Sequence, residues 1–269
     1  AGMSVRRPSI TLLSRKLVTL RQRVHCVGVH YDFEQVTFNC AYKRAVYSHG
    51  LPLWVQEIDG TLFSIRLEMA SRLSAEGDLT LCLRAGDTSL HSLSFSWTEG
   101  KFVGIETLIV PLVVRNQGHR ADAATALDAF ERAFPHNSPS YFCFCALQGV
   151  AQALGMHKVA AVKSLWQCSY TASANTHFVN AYDSFWQALG GVSAGTKIFH
   201  IALPFYVRPL SEMPSKHRKR AKMRREHWGS IAETARLKLI EHLADARRTA
   251  LKVPELSPDA TNLSRKGVT

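Results

Sequence analysis

The chain has 269 residues, of which 46% are hydrophobic and 20% charged, an ordinary globular balance. A chain of this length buries enough surface to need neither disulfides nor a metal to hold a core. Lys and Arg number 33 against 21 Asp and Glu. The resulting +12 draws acidic partners: nucleic acid, anionic lipid, coenzyme phosphates or an acidic carrier protein.

No run approaches the ~20 apolar residues that span a bilayer. The nearest, FVGIETLIVPLVV at 102–114, is short and holds Glu106 and Pro111. The N-terminal stretch lacks a continuous apolar region and a small-residue cleavage site, so a cytoplasmic location is the default expectation. Ala1-Gly2 ahead of Met3 has the look of a cloning remnant. The six cysteines form no CxxC pair and are irregularly spaced, which argues against a disulfide framework. Cys143 and Cys145 read as packing residues of a buried helix.

In chain order, residues 8–48 predict helix, with apolar Leu13, Leu17, Leu20 and Val24 at helical spacing. From 53 to 114 the pattern becomes strand-like. LFSIRLEM (62–69), DLTLCLRA (78–85), SLHSLSFSW (89–97) and KFVGIETLIVPLVV (101–114) alternate or run apolar between short turns. Such spacing predicts an antiparallel meander. Helices are expected over 121–134 and 140–155, separated by PHNSP, then a strand over 157–165. A helix over 180–191 closing in LGG and a strand over 197–207 follow. Residues 214–228 carry seven Lys or Arg between Lys216 and Arg225. A helix over 229–249 comes next, and 252–269 read as a disordered tail. The expected organisation is an N-terminal helical region (1–50), an α/β core (51–210), a basic segment with a C-terminal helix (211–251) and the tail.

Several blocks together resemble the bacterial VirK/YbjX family: HYDF at 30–33, AEGDLTLCL at 75–83, LHSLSFSW at 90–97, KFVGIETL at 101–108, ALQGVAQALGMHKVAAV at 146–162, AYDSFWQALGG at 181–191 and SKHRKRAKMRR at 215–225. Two departures border the expected site. Glu106-Thr107 stands where the family usually has Gln-Gly, and Lys163-Ser164 where it usually has Ser-Asn. The resemblance implies an association with bacterial surface and virulence phenotypes, with peripheral membrane contact, and no agreed reaction.

The element order after residue 60 also resembles the acetyltransferase-like (GNAT) fold, an α/β (α+β) mixed sheet. That resemblance implies a loop of backbone amides at a helix N-terminus that holds a coenzyme pyrophosphate. Val114, Arg115, Gly118, His119 and Arg120, in and beside RNQGHR, would form it, and the PHNSP turn is a rival anion site. AYDSFWQALGG resembles the fold's Tyr-bearing helix, which makes Tyr182 a candidate general acid, with Asp183 beside it; Asp183 could instead only steady a helix turn.

Two candidate bases come from the residues themselves. Glu106 is a carboxylate in an otherwise apolar strand pattern, where burial would raise its pKa. His30 in HYDF titrates near neutrality, although a structural histidine is the plainer reading. HExxH, GxSxG and a Walker loop are absent, so no metal is expected and neither a serine hydrolase of the α/β type nor a P-loop NTPase is indicated.

Together these readings point to an acyltransferase. The donor would be acyl-CoA, an acyl carrier protein or an aminoacyl-tRNA, and the acceptor an amine or hydroxyl. The alternative is a non-enzymatic membrane accessory protein that binds anionic lipid through Lys216, Arg218, Lys219, Arg220 and Arg224. RNA binding has only the charge in its favour.

Overall fold

A computed structural model describes residues 19–70, 76–118 and 123–251. The expected tail and the helix before residue 19 lie outside the described residues. Two helices come first, α1 (Leu20–Thr37) and α2 (Cys40–Ser48). Thr19 caps α1 in a reciprocal capping box with Gln22, and the Asn39 side chain accepts the Tyr42 amide to start α2. The helical region expected over 8–48 is interrupted at Phe38-Asn39, because Asn39 is a better cap than a helix interior residue.

The eight strands form one sheet in the order β1-β2-β3-β4-β5-β6-β8-β7. β1 (Leu51–Ile58), β2 (Thr61–Met69), β3 (Leu79–Ala85), β4 (Thr88–Glu99) and β5 (Ile109–Gly118) make the expected antiparallel meander. β6 (Lys158–Val162) pairs parallel to β5. β8 (Ile198–Ala202) then pairs antiparallel to β6, and β7 (Val192–Ala194) to β8. β1 and β7 had no signal of their own; β1 extends the meander by one strand at its edge.

Between β5 and β6 run α3 (Ala124–Ala133) and α4 (Pro139–Ala153). The expected helix over 180–191 is three pieces: α5 (Asn175–Val179), a π-helical turn over Asn180–Ser184, and α6 (Phe185–Ala188). The basic segment does not stand apart from the helix after it. Both belong to α7 (Ser215–Ile240), which packs along α4 and is followed by the short α8 (Asp245–Ala250). α4 is apolar nearly all round because it lies between the sheet and α7.

The strict alternation of SLSFSW sorts β4 into two faces. Leu93, Phe95 and Trp97 face the helices and join a cluster with Phe63, Phe130, Phe134 and Phe142. Ser94 and Ser96 face the other way, yet both are fully buried. Their hydroxyls are satisfied there: Ser94 bonds Thr80 at 2.9 Å and Ser96 donates to Asp78 at 2.5 Å. Gly77, just before Asp78, has φ +88°. A Cβ there would come within 2.9 Å of Val114 Cγ2 and 3.0 Å of the Phe95 amide nitrogen, so this turn admits only glycine.

Helix α1 is tied to the sheet through a buried carboxylate. Glu34 Oε1 accepts from the Tyr42 hydroxyl at 2.7 Å and from the Trp97 indole at 3.3 Å. Its Oε2 accepts from the Tyr47 hydroxyl at 2.9 Å and lies 4.0 Å from His30 Nε2. Three elements thus converge on one acceptor.

Glu34→Ala should leave these donors without a partner and cost about 3 kcal/mol in urea unfolding, whereas Tyr47→Phe, which removes only one half-buried donor, should cost about 1 kcal/mol. Gly77→Ala should also destabilise, through both its backbone conformation and its contact with Val114.

Candidate functional site

The parallel pairing of β5 with β6 covers only Leu112↔Ala160 and Val113↔Ala161. Beyond Val113 the two strands part, while β5 stays paired with β4 as far as His91↔Gly118. Among the described residues no strand pairs with the β6-facing edge of β5 beyond Val113. Tyr182, on the π-helical turn, fills the gap, and its hydroxyl accepts the Asn116 amide at 3.2 Å. Alternation along the strand turns the Gly118 amide to the same edge.

On the polar face of the gap stand Glu76, Arg115, Gln117 and Tyr182. Glu76 is buried, and its Oε1 accepts the Cys168 amide at 2.8 Å. Its Oε2 has no hydrogen-bond partner among the described residues. Burial raises the Glu76 carboxyl above its ordinary value, against the pull of the Cys168 amide and the Arg115 charge. Burial likewise pushes the Tyr182 phenol well above its usual value, opposed by the Asn116 amide and reinforced by the Glu76 charge. Arg115 Nε donates to Gln117 Oε1 at 2.8 Å. One cluster thus holds a carboxyl whose proton affinity is raised beside a phenol held in its protonated form.

On the helical face the same gap opens into a cleft of about 340 Å³. Its lining includes His91, Asn116, Gly118, Ser138, Ser140 and His177. Asn116 Nδ2 donates to the Ala181 carbonyl, which fixes Oδ1 as the acceptor for His91 Nε2–H at 2.7 Å. Ser138, Pro139 and Ser140, at the N-terminus of α4, line this cleft; Ser138 makes no side-chain cap bond, and its hydroxyl pairs with that of Ser140 at 2.8 Å. That is the PHNSP turn, the rival anion site of the sequence.

The expected site residues are scattered over the molecule. Glu106 is not in a strand. Residues 100–108 fold back on themselves, with the Ile105 amide on the Gly100 carbonyl at 2.8 Å and the Gly100 amide on the Leu108 carbonyl at 3.1 Å, so β5 begins only at Ile109. Glu106 is exposed there, and the burial argument for a base does not hold. It also lies beyond the opposite end of β5: Ile109 and Asn116 are seven residues apart, roughly 23 Å at ~3.3 Å per residue.

His30 is fully buried. Its Nδ1 accepts the Trp97 amide at 3.1 Å, so in the neutral ring the proton sits on Nε2, 4.0 Å from Glu34 Oε2; the nitrogen a base would use is occupied, and His30 ties α1 to β4. Asp183 receives the Ser164 amide at 2.8 Å on one oxygen and the Ser164 hydroxyl at 2.6 Å on the other. It clamps the turn after β6, a role different from the helix-turn support and the catalytic part expected of it.

Val114, Arg115 and Gly118 lie in strand β5, not in a loop. Val114 is buried, Arg115 belongs to the polar cluster and Gly118 lines the cleft. His119 and Arg120 fall outside the described residues. Lys216, Arg218, Lys219 and Arg220 are exposed on the first turns of α7, where Arg218 donates to the Met213 and Ser211 carbonyls. Arg224 lies over the Trp228 ring, 5.6 Å from its centroid. Among the described residues no group of His, Cys, Asp or Glu is arranged to hold a metal, and no helix is long and apolar enough to cross a membrane.

Glu76 is the residue that sequence reasoning missed. Its signal was the EGD triplet of AEGDLTLCL, quoted above only as part of a resemblance. Because its pKa is raised in the folded state, Glu76 binds its proton more tightly folded than unfolded, so its contribution to stability falls as pH rises above 4.5. Glu76→Gln should therefore raise Tm relative to the parent at neutral pH, and the difference should vanish toward pH 4.5; a difference independent of pH would contradict the raised pKa.

Residues 7–236 match the family described as protein of unknown function, DUF535. No curated protein matches. Among solved structures the chain is similar to a cAMP-binding acyltransferase from Mycobacterium smegmatis, in a mutant form, at 9% identity and a TM-score of 0.31. The alignment covers 79% of this chain and 61% of that one, so the chain spans about three fifths of that protein's length. With most of its residues inside the match, this chain belongs to the DUF535 family, the VirK/YbjX family that its sequence blocks resemble.

Proposed function

We propose that the chain is an acyltransferase that moves an acyl or aminoacyl group from a thioester or ester donor to an amine or hydroxyl. The observation that carries this reading is the parting of β5 from β6 around Tyr182, with a cleft on one face and a buried carboxyl on the other.

The donor's reactive end enters from the helical face, with its phosphates toward the first turn of α4. The acceptor approaches from the polar face. Ionised Glu76 takes the acceptor's proton while the acceptor atom attacks the donor carbonyl. The Gly118 amide on the same β5 edge polarises the carbonyl oxygen. As the bond to the leaving sulfur or oxygen breaks, the Tyr182 hydroxyl supplies the proton. Arg115 stabilises the charge that passes between these groups. Acyl-CoA, an acyl carrier protein and an aminoacyl-tRNA all present the phosphates and negative charge that suit a chain of net charge +12.

A panel of these donors with general amine and hydroxyl acceptors tests the reading. A true donor at 100 times its Kd should add about 2.7 kcal/mol of apparent stability. Glu76→Gln should lower kcat by about 100-fold with donor affinity retained, and Tyr182→Phe by about 10- to 100-fold. Glu106→Gln should leave turnover unchanged. Full turnover in Glu76→Gln would sink the assignment.

A second reading rests on α7. Lys216, Lys219, Arg220 and Lys222 are exposed on its first turns, with Met223 46% exposed beside them. Such a surface suits an anionic membrane or an acidic carrier. Binding to vesicles containing phosphatidylglycerol should weaken steeply with salt and disappear when these four residues are replaced by Gln; retention by that variant would remove the reading.

A further inference from the structure

The largest cavity among the described pockets is not the proposed active site. It holds about 660 Å³ and lies at the amino ends of β5 and β6, the opposite end of the two parallel strands. Its size is that of a small-molecule pocket, typically ~300–1,000 Å³. Phe33 and Val36 of α1, Ile105 and Leu108 of the folded-back loop, and Leu154 and Met156 after α4 supply an apolar lining. Leu108 is 91% exposed and Val36 70%, the two most exposed large hydrophobic side chains among the described residues. Both open onto this one cavity. Isolated exposed apolar residues need no explanation, but two at the mouth of an apolar groove mark a surface that gains by being covered.

The rim carries charge of one predominant sign. Lys158 begins β6 and Arg247 projects from α8. Neither side chain makes a hydrogen bond or ion pair among the described residues, and Arg247 Nε is buried without a partner. A buried guanidinium nitrogen with nothing to donate to is costly unless a ligand completes it. His157 lies beside them, and Glu106 is the single acid on the wall.

We propose that this groove binds a single-chain amphiphile with an anionic head, the chain over Phe33, Ile105, Leu154 and Met156 under Leu108, and the head on Arg247 and Lys158. Glu106 opposes the head and limits affinity for anions. The site shares no residue with the Glu76–Tyr182 cluster, and it stands whether or not that cluster transfers acyl groups.

The test measures binding of myristate, of a lysophosphatidylglycerol and of tetradecyl maltoside to the full chain by calorimetry, each below its micelle concentration. The myristate arm reports a free carboxylate and the lysolipid arm a phosphate head; tighter binding of either anion than of the neutral maltoside, by about 10-fold or more, supports the proposal. Arg247→Glu and Lys158→Glu should each weaken the preferred anion by about 10-fold while changing maltoside binding by less than about 2-fold. Leu108→Asp, at an exposed position that folding tolerates, should weaken all ligands, and Glu106→Gln should tighten the anions. Equal affinity for anionic and neutral amphiphiles, no binding of any of them, or anion affinity unchanged in Arg247→Glu and Lys158→Glu would overturn it. So would a concentration-dependent dimer that Leu108→Asp abolishes in a chain that binds none of the three, since the groove would then be covered by a second copy.

Discussion

Strand β5 cannot satisfy both of its neighbours along its whole length. It runs antiparallel to β4 for its full extent and parallel to β6 at two positions only. A freed strand edge exposes amides that must find other partners. The Asn116 amide finds the Tyr182 hydroxyl, and this brings the π-helical turn into the gap. A π-turn is a poor helix in isolation and persists where tertiary contacts over-determine it, often at functional sites. Here Tyr182 stacks on Phe178, Asn116 holds the Ala181 carbonyl, and Asp183 clamps Ser164 on the next segment. One constraint on backbone pairing thus fixes Tyr182 and Asn116 in the gap between the two strands.

The two faces of the sheet carry the consequence in opposite ways. The helical face is filled by aromatic side chains from β2, β4, α3 and α4, and it packs rigidly. The opposite face buries Thr80, Ser94, Ser96 and Asp78, all hydrogen-bonded. A buried polar face gives less hydrophobic stabilisation than an apolar one of the same area. It does offer a fixed set of dipoles beside Glu76 and Arg115, where proton exchange would need a preorganised polar environment. The Glu34 hub serves the same division, because it seats α1 on the sheet through bonds to Trp97, Tyr42 and Tyr47 and not through packing alone.

The parallel pair also has a second end. At its amino side the chain before β5 folds back through residues 100–108 instead of running straight into the strand, and the turn leaves a groove between α1, that loop and the start of β6. Polar chemistry therefore gathers at the carboxyl end of these strands, and an apolar cavity with a cationic rim at the amino end.

The meander was legible in the sequence because period-two alternation reports which residues share a face, and LTLCL and SLSFSW alternate without interruption. The long buried α4, the break at PHNSP and the family blocks were equally legible, since each rests on neighbours within a few residues. The site was not. Glu106 was chosen from an apolar run that the fold breaks at Ile109, because hydropathy does not register a chain that turns back to bond Gly100. His30 drew notice as a titratable group, but only the tertiary structure shows its acceptor nitrogen committed to the Trp97 amide. Glu76 and Tyr182 lie more than a hundred residues apart, and their shared environment depends on where β6 leaves β5. Sequence by itself determined the meander from β2 to β5, the buried α4, the family and the cationic character of α7. The parting of two parallel strands, a long-range backbone event with no local signature, decided which carboxyl and which phenol meet.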